Sequence, residues 1–164
     1  MGIRSLAAGV GCLAALANTG AKGELSVEFL LAPHGYVDAG TYGRDTKRHL
    51  AVIEDHLARL ATRCLAQGES LNIRVLSLDL AGRHEWWHGP TFDLRVMRDI
   101  TWPRMELDYI WRDPAGNLLG EGRELVADMN YLWRSPYASR NDELPYEKSM
   151  LSEWFERRFC RPRP

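Results

Sequence analysis

The sequence predicts an α+β domain, a two-layer sandwich in which one mostly antiparallel twisted sheet of four to five strands carries two helices on one face. Apolar and polar residues alternate in several short segments, as in strands, whereas two longer segments have apolar residues three or four apart, as in helices. The first helical segment lies between two strand segments, and such a β-α-β connection makes those strands parallel. The later strands follow one another across short turns, which favours antiparallel pairing and the order β-α-β-β-β-α.

The first strand is predicted at residues 25–32, LSVEFLLA, because every second residue is apolar. A glycine-rich loop then leads to a helix that Asp45 or Thr46 can cap. The apolar stripe of this helix consists of Leu50, Ile53, Leu57, Leu60, Ala61 and Cys64. His49 and His56 stand seven residues apart on the helix, a poorer spacing than four for a shared metal, and are interpreted as solvated side chains.

The next strand segment, SLNIRVLSLDL at residues 70–80, is predicted to be central in the sheet. Its apolar residues are expected on both faces, with Leu71, Ile73 and Val75 on one and Leu76, Leu78 and Leu80 on the other. Because a strand that is apolar on both faces is typically covered on both, this segment is expected to have neighbours on each side.

A hairpin is predicted in the second half of the chain. Strand character returns at residues 95–98 and again at 105–112, and Pro114–Asn117 is typical of a tight turn. The return strand, residues 118–126, has glycines at its third and fifth positions, which indicate a bulge or close packing.

The last helix is predicted to begin at Pro145, after a polar and turn-rich stretch at residues 128–144. Proline suits the first helical position because it has no N–H to leave unpaired. The apolar side of this helix consists of Met150, Leu151, Trp154, Phe155 and Phe159.

The N-terminus is predicted to be a signal peptide that directs export to the periplasm or the medium. Arg4 precedes an apolar run ending in Ala15-Leu16-Ala17, the small-x-small pattern of a cleavage site. Cys12 leaves lipidation as an alternative, although no leucine stands three residues before it. No apolar run reaches the roughly 20 residues of a membrane span. The predicted division is signal peptide 1–17, short disordered linker 18–24, single globular domain 25–160 and tail 161–164.

Length, charge and cysteine content limit the classes of function. At 164 residues and 45% hydrophobic, the chain fits one domain with its own core. A formal net charge of −1 gives no electrostatic basis for binding nucleic acid or an anionic membrane. The exported chain keeps Cys64 and Cys160, an even pair that can form a disulfide in an oxidising compartment; the alternative is a buried thiol at Cys64.

The segment His84-Glu85-Trp86-Trp87-His88 matches H-E-x-x-H, in which two histidines on one helix face bind Zn²⁺ and the glutamate activates a water. Its context argues against that chemistry, because Gly82 precedes it and Gly89-Pro90 ends it before two helical turns are complete. We therefore expect no cofactor. A metal-dependent hydrolase using His84, Glu85 and His88, or an adventitious metal-binding loop, is the alternative.

A site is predicted around RVMRDITWPR, residues 95–104, because arginines occur there on both sides of a strand. At least one arginine must then lie near buried surface, where it needs a carboxylate or a ligand anion. Pro103 interrupts the strand and directs Arg104 separately from Arg98.

Two interpretations of these arginines remain open. In the first, they form an internal ion-pair network with carboxylates of Asp128, Glu147 or Glu153. In the second, they wall a cleft that binds an anion or a peptide. The candidate ligand-binding residues are Arg95, Arg98, Asp99, Trp102, Arg104, Asp128 and Asn130.

Three stretches of this half, RVMRDITWPRMELDY, VADMNYL and YEKSMLSEWF, resemble the signature sequences of DUF3016, a family of exported bacterial proteins of unknown function. The resemblance covers about residues 26–159. It implies export and a single small domain, and it assigns no activity, cofactor or catalytic residue.

The expected function is therefore that of a non-catalytic binding or interaction module of the cell envelope, with an envelope protein or a small ligand as its partner. One alternative is the metal-dependent hydrolase that uses the His84-Glu85-His88 loop. The other is a structural or assembly component that is stable only as an oligomer.

Overall fold

Two helices and a mixed sheet make up the part of the chain that the computed structural model describes, residues 23–30, 36–37, 43–84, 95–133 and 142–160. The elements in chain order are β1 (Glu24–Phe29), β2 (Tyr36–Val37), α1 (Gly43–Cys64), β3 (Ser70–Asp79), β4 (Arg83–His84), β5 (Arg95–Val96), β6 (Arg104–Arg112), β7 (Leu118–Ala127) and α2 (Pro145–Phe159). The predicted signal peptide and the tail lie outside the described residues.

The main sheet has the strand order β1-β3-β6-β7. β1 is parallel to β3 and directly adjacent to it, as the β-α-β connection predicts. β3 pairs with β6, and β6 with β7, in antiparallel ladders. The two-residue β2 extends the β1 edge by pairing with the end of β3, and β4 and β5 form a separate ribbon. The predicted α+β class with a mostly antiparallel sheet is confirmed.

Both helices cover the same face of this sheet. Residues of both helices and of the three longest strands belong to one buried cluster, including Ile53, Leu57, Leu60, Ile73, Val75, Leu107, Leu151 and Phe155. The helices run side by side in the same direction, because Arg48 contacts Glu143 near their beginnings and Cys64 contacts Cys160 at their ends. The other face of the sheet is polar, and ion pairs such as Arg74 to Asp108, 2.9 Å, lie on it.

Because of a bulge in β3, its later side chains lie on a different face of the sheet from the one predicted. The register with β6 passes from Val75 opposite Leu107 to Ser77 opposite Glu106, which leaves Leu76 as the extra residue. The alternation therefore changes phase, and Leu78 is buried in the same cluster as Val75. β3 is central as predicted, but its apolar residues serve mainly one face.

The hairpin between β6 and β7 confirms the predicted turn. The Asp113 carboxylate accepts the backbone N–H groups of Ala115 and Asn117, and Gly116 adopts a φ of 85°, which glycine tolerates well. The glycines of β7 show both a bulge and close packing. The register shifts near Leu119, and a Cβ on Gly122 would lie 3.3 Å from the Tyr109 ring.

The interpretation of His49 and His56 as solvated is wrong, because α2 covers their side of α1. His56 Nε2 lies 2.9 Å from Ser152 Oγ and 3.0 Å from the Lys148 carbonyl oxygen. Burial lowers the pKa of His56 below its ordinary value. The His49 side chain is only 14% exposed, with Nε2 3.6 Å from Glu143 Oε1.

Candidate functional site

The two ends of the sheet differ in chemistry. At the disulfide end, where both helices finish, the structure joins Cys64 to Cys160 with their Cα atoms 4.5 Å apart. Phe159 packs there edge-on against three aromatic rings, those of Tyr109, Trp111 and Trp154, each at a centroid distance of 5.4 Å. We call this set the disulfide end. Its contacts are mainly apolar or covalent, and the indole N–H groups of Trp111 and Trp154 donate to the carboxylates of Glu69 and Glu124.

The opposite end, which we call the polar end, contains the start of α2, the ends of β3 and β7 and the start of β6. Its centre is Glu147, whose side chain is almost fully buried. Glu147 Oε1 accepts the Ala81 N–H at 2.7 Å. Burial raises the pKa of this carboxyl above its ordinary value, and the Ala81 hydrogen bond and the charge of Arg95 oppose the rise.

Arg95 is a predicted site residue whose positive charge acts on this carboxyl. Its guanidinium donates to the carbonyl oxygens of Ala81, at 3.0 Å, and Gly82, at 3.3 Å. Gly82 has a φ of +74°, and its N–H donates to the Thr101 carbonyl at 2.9 Å. A side chain on Gly82 would clash with the Val96 carbonyl. Arg95 therefore stabilises the contact between residues 81–82 and the segment 95–101.

Arg104 and Arg98 are directed apart, as the proline between them predicts. The Arg104 guanidinium lies 2.8 Å from Asp79 Oδ2, a carboxylate at the end of β3 that is itself buried. Arg83 approaches the same oxygen at 3.9 Å. The ion-pair interpretation thus fits Arg104, although its partner Asp79 is not one of the three carboxylates expected from sequence.

Arg98 does not lie on a strand, because β5 ends at Val96 and residues 97–103 form a turn. Thr101 Oγ1 fixes this turn, accepting the Arg98 N–H at 3.1 Å and lying 3.0 Å from the Arg98 carbonyl. The side chains of Arg98 and Asp99 are both exposed. Arg98 is therefore an exposed side chain and not the half-buried one that a strand position would have given.

A second turn lies against this one. The Tyr131 hydroxyl donates to the Arg98 carbonyl at 2.7 Å, and the Asp128 N–H donates to the Pro103 carbonyl at 3.2 Å. Tyr131 is fully buried and packs edge-on against the Tyr146 ring of α2 at 4.9 Å. We name residues 97–103 and 128–133 together the two-turn platform. It contains Trp102, which is partly buried, and the predicted residues Asp128 and Asn130.

The two-turn platform exposes five large apolar side chains beside the charged Arg98 and Asp99. They are Met97 by 37%, Ile100 by 72%, Met129 by 65%, Leu132 by 41% and Trp133 by 88%. None of these belongs to the buried cluster of the core. A tryptophan that buries so little of its ring contributes little to folding.

A groove of about 220 Å³ adjoins the two-turn platform, between the end of β7 and α2. Its lining consists of Val126, Ala127, Asp128, Met129, Asn130, Met150, Glu153 and Arg157. Asp128 Oδ1 accepts the Asn130 N–H at 3.0 Å, which closes a tight turn at its rim. The structure thus places Asp128 and Asn130 at one groove, but α2 forms its other wall instead of Arg98, Arg104 and Trp102.

The H-E-x-x-H segment falls largely outside the described residues, which include the backbone of His84 but not Glu85 or His88. Within the part of the chain that the structure covers, no three His, Cys, Asp or Glu side chains are grouped so that they could hold a metal ion. No helix among the same residues is long and apolar enough to cross a bilayer.

Sequence reasoning missed Tyr131 and Trp133. Both fall in a stretch that reads as polar and turn-rich, where large aromatic side chains have no place in a periodic pattern. That isolation is itself the signal that could have found them, because an aromatic residue outside any stripe either anchors a turn or contacts a partner. Tyr131 does the first, and Trp133 is free to do the second.

Comparison with known proteins identifies the family and no activity. The model of DUF3016, described as a protein of unknown function, matches residues 23–157. A search of curated proteins finds no match. A PelC dodecamer variant from Paraburkholderia phytofirmans is 9% identical, with a TM-score of 0.32 over 81% of this chain and 84% of its own. A minor lipoprotein from Acinetobacter baumannii is 12% identical, with a TM-score of 0.27 over 83% and 87%. The family match spans most of the sequence, and the chain therefore belongs to the DUF3016 family.

Proposed function

We propose that this protein is an exported binding domain of the cell envelope, without catalytic activity, that recognises a protein partner through the two-turn platform and the adjoining groove. The exposure of Trp133, at 88% of its side chain, is the observation that carries the proposal. It stands with Ile100 and Met129 on turns whose backbone is fixed by Tyr131 and Thr101. Apolar side chains on a rigid support lose little conformational entropy on binding, which favours recognition.

The groove adds polar complementarity to this apolar surface. Asp128 and Glu153 present carboxylates and Arg157 a guanidinium along its lining. A partner segment with an apolar side chain for the two-turn platform and polar groups for the groove fits both surfaces. Its small volume, about 220 Å³, suits a short stretch of polypeptide better than a drug-sized ligand.

Export is supported by the N-terminal sequence and by the paired cysteines. The predicted cleavage after Ala17 would produce a chain that begins at Asn18. A disulfide between Cys64 and Cys160 is stable only in an oxidising compartment. N-terminal sequencing of the native protein should begin at or near Asn18. Retention of residues 1–17 would contradict export.

Site-specific photo-crosslinking tests the binding surface. A photoreactive phenylalanine analogue replaces Trp133 in one variant and Thr62, an exposed residue of α1, in a matched control. In cells that make the protein, we expect a discrete adduct from position 133 that is missing from position 62. Introducing Ile100→Asp should weaken this adduct without changing protein levels. If both positions give the same adducts, or position 133 gives none, the two-turn platform is not the binding surface.

A further inference from the structure

β7 forms one edge of the main sheet, and no described strand pairs with its outer side. It is ten residues long and presents exposed side chains along most of its length. An edge of this length exposes unpaired N–H and C=O groups that can form a ladder with another strand. Residues 119–125 of this edge lie outside the two-turn platform and the groove, and the inference does not depend on the proposed function.

On the polar face of the sheet, two charged residues of β7 flank Gly122 and two leucines lie outside them, with Leu119 at the bulge. Leu119 and Leu125 are exposed by 45% and 67%, and Glu121 and Arg123 lie between them. On this face, Glu121 and then Leu119 follow in one direction from Gly122, and Arg123 and then Leu125 follow in the other direction. A strand with this pattern is complementary to a second copy of itself in the antiparallel direction.

We propose that β7 pairs with β7 of a second copy of this chain, across a two-fold axis that passes through Gly122. In that register Glu121 lies opposite Arg123 of the second copy, and Leu125 lies against the bulge at Leu119 of the second copy. Both contacts occur twice, because the interface is self-complementary. The two sheets then form one continuous sheet, and the two exposed leucines of each copy become covered.

The charges select this register over its neighbours. Moving the two-fold axis to residue 121 places two copies of Glu121 opposite each other, and moving it to residue 123 places two copies of Arg123 opposite each other. Like charges directly opposite on neighbouring strands are destabilising. Only the axis through Gly122 pairs both charged residues with their opposites.

The ion pairs within one copy leave room for this contact. No ion pair to Glu121 occurs among the described residues, whereas Arg123 already contacts Glu106 at 2.9 Å. Asp108 lies 4.0 Å from the same guanidinium, but the Arg123 side chain is 64% exposed, so it can donate to a further carboxylate. Glu121 of the second copy would supply it.

The opposite face of the edge also permits close approach. Gly120 would lie opposite Glu124 of the second copy, where Glu124 forms an ion pair with Arg158 at 2.7 Å. A glycine opposite this pair adds no side chain that could displace it. Gly122 itself is covered by the Tyr109 ring of its own chain, so the axis passes between two backbones with no side chain between them.

Light scattering during size-exclusion chromatography tests the dimer. The full-length chain, expressed with its native N-terminus and purified under oxidising conditions, should show about twice the monomer mass across a wide range of concentrations. Glu121→Arg and Arg123→Glu, each alone, should be monomers, because each places like charges opposite each other twice. Glu28→Arg, the same charge change on the other edge, should remain dimeric.

Mixing the two variants is the decisive step. A chain with Glu121→Arg and a chain with Arg123→Glu place opposite charges at both contacts, so an equal mixture should form a heterodimer although neither forms a homodimer. A wild-type monomer at every concentration, or a mixture that stays monomeric, overturns the proposal. Circular dichroism checks that each variant is folded. If Arg123→Glu does not fold, the comparison of the other two variants still tests the proposal, because Glu121→Arg should lose the dimer and Glu28→Arg should keep it.

Discussion

At the disulfide end, the helices and the sheet meet mainly through aromatic rings and a covalent bond. At the polar end they meet through a buried carboxylate, a guanidinium and backbone amides. The disulfide end buries its large side chains, and Phe159 is only 3% exposed. At the polar end, the two-turn platform leaves Trp133 and Ile100 largely in solvent. One end thus buries its large side chains, and the other combines fixed polar contacts with exposed apolar side chains, which is the arrangement on which the proposed binding surface rests.

The largest effect is expected from Phe159→Ala at the disulfide end. The ring contacts Tyr109, Trp111 and Trp154, and its removal leaves a cavity that these large side chains cannot fill. The free energy of unfolding should fall by about 3–5 kcal/mol in a denaturant titration. Leu118→Ala, at a residue that is 49% exposed, should change it by less than about 0.5 kcal/mol and serves as the control.

Removing the disulfide should have the next largest effect. Cys64 and Cys160 are 96 residues apart in sequence, so their bond constrains a large part of the unfolded chain. Replacing both with alanine should lower the free energy of unfolding by about 2–4 kcal/mol. Thiol titration of the unreduced exported protein should find no free thiol, and two titratable thiols would show that the bond does not form.

Glu147 should make the free energy of unfolding depend on pH. Glu147→Ala leaves the buried Ala81 N–H without its acceptor and should cost about 1–3 kcal/mol. Glu147→Gln keeps an acceptor and removes the charge. Burial raises the pKa of Glu147, so the folded state holds the proton more tightly than the unfolded state, and the free energy of unfolding falls as pH rises above the ordinary value of 4.5.

The test compares the wild type with Glu147→Gln in denaturant titrations from acidic to neutral pH. The variant should gain in stability relative to the wild type as the pH rises, because it cannot lose this proton. A relative gain by the wild type instead would mean that ionised Glu147 is stabilised overall by Arg95 and the Ala81 amide.

Smaller losses of stability are expected from replacing Arg104 and Arg98. The two losses should differ from each other, although the sequence around the two arginines gives no sign of this. Arg104→Ala removes the partner of the buried Asp79, but the arginine is half exposed, so the cost should be on the order of 1 kcal/mol. Arg98→Ala should change stability by less than about 0.5 kcal/mol, because its side chain lies on the outside of a turn. Thermal melts of both variants provide the measurement. A larger loss of stability in Arg98→Ala than in Arg104→Ala would show that Arg98 takes part in an ion-pair network.

The elements of this fold follow from local patterns, and sequence predicts them well. The stripe of α1, Pro145 at the start of α2 and the Asp113 turn each depend on residues close together in the chain, and all three occur as predicted. The bulge at Leu76 was not predictable in the same way, because it depends on the register with β6. One inserted residue reverses the face of every later side chain in the strand.

The arrangement of the candidate residues was predictable only in part, for a similar reason. The structure brings residues 97–103 and 128–133 together, as the predicted cleft required. The pairing of Arg104 with Asp79 and of Glu147 with Ala81 connects elements that are far apart in sequence. Alternation indicates which side of a strand a residue faces, but only the packing of strands and helices determines the partner it meets there.

The central claim is that Trp133 serves recognition and not folding, and the free energy of unfolding of Trp133→Ala tests it most directly. Measured in denaturant beside Phe159→Ala, the variant should differ from the wild type by less than about 0.5 kcal/mol, because a ring that is 88% exposed buries little surface. A loss of about 3 kcal/mol or more, comparable to that of Phe159→Ala, would make Trp133 a core residue and contradict the account.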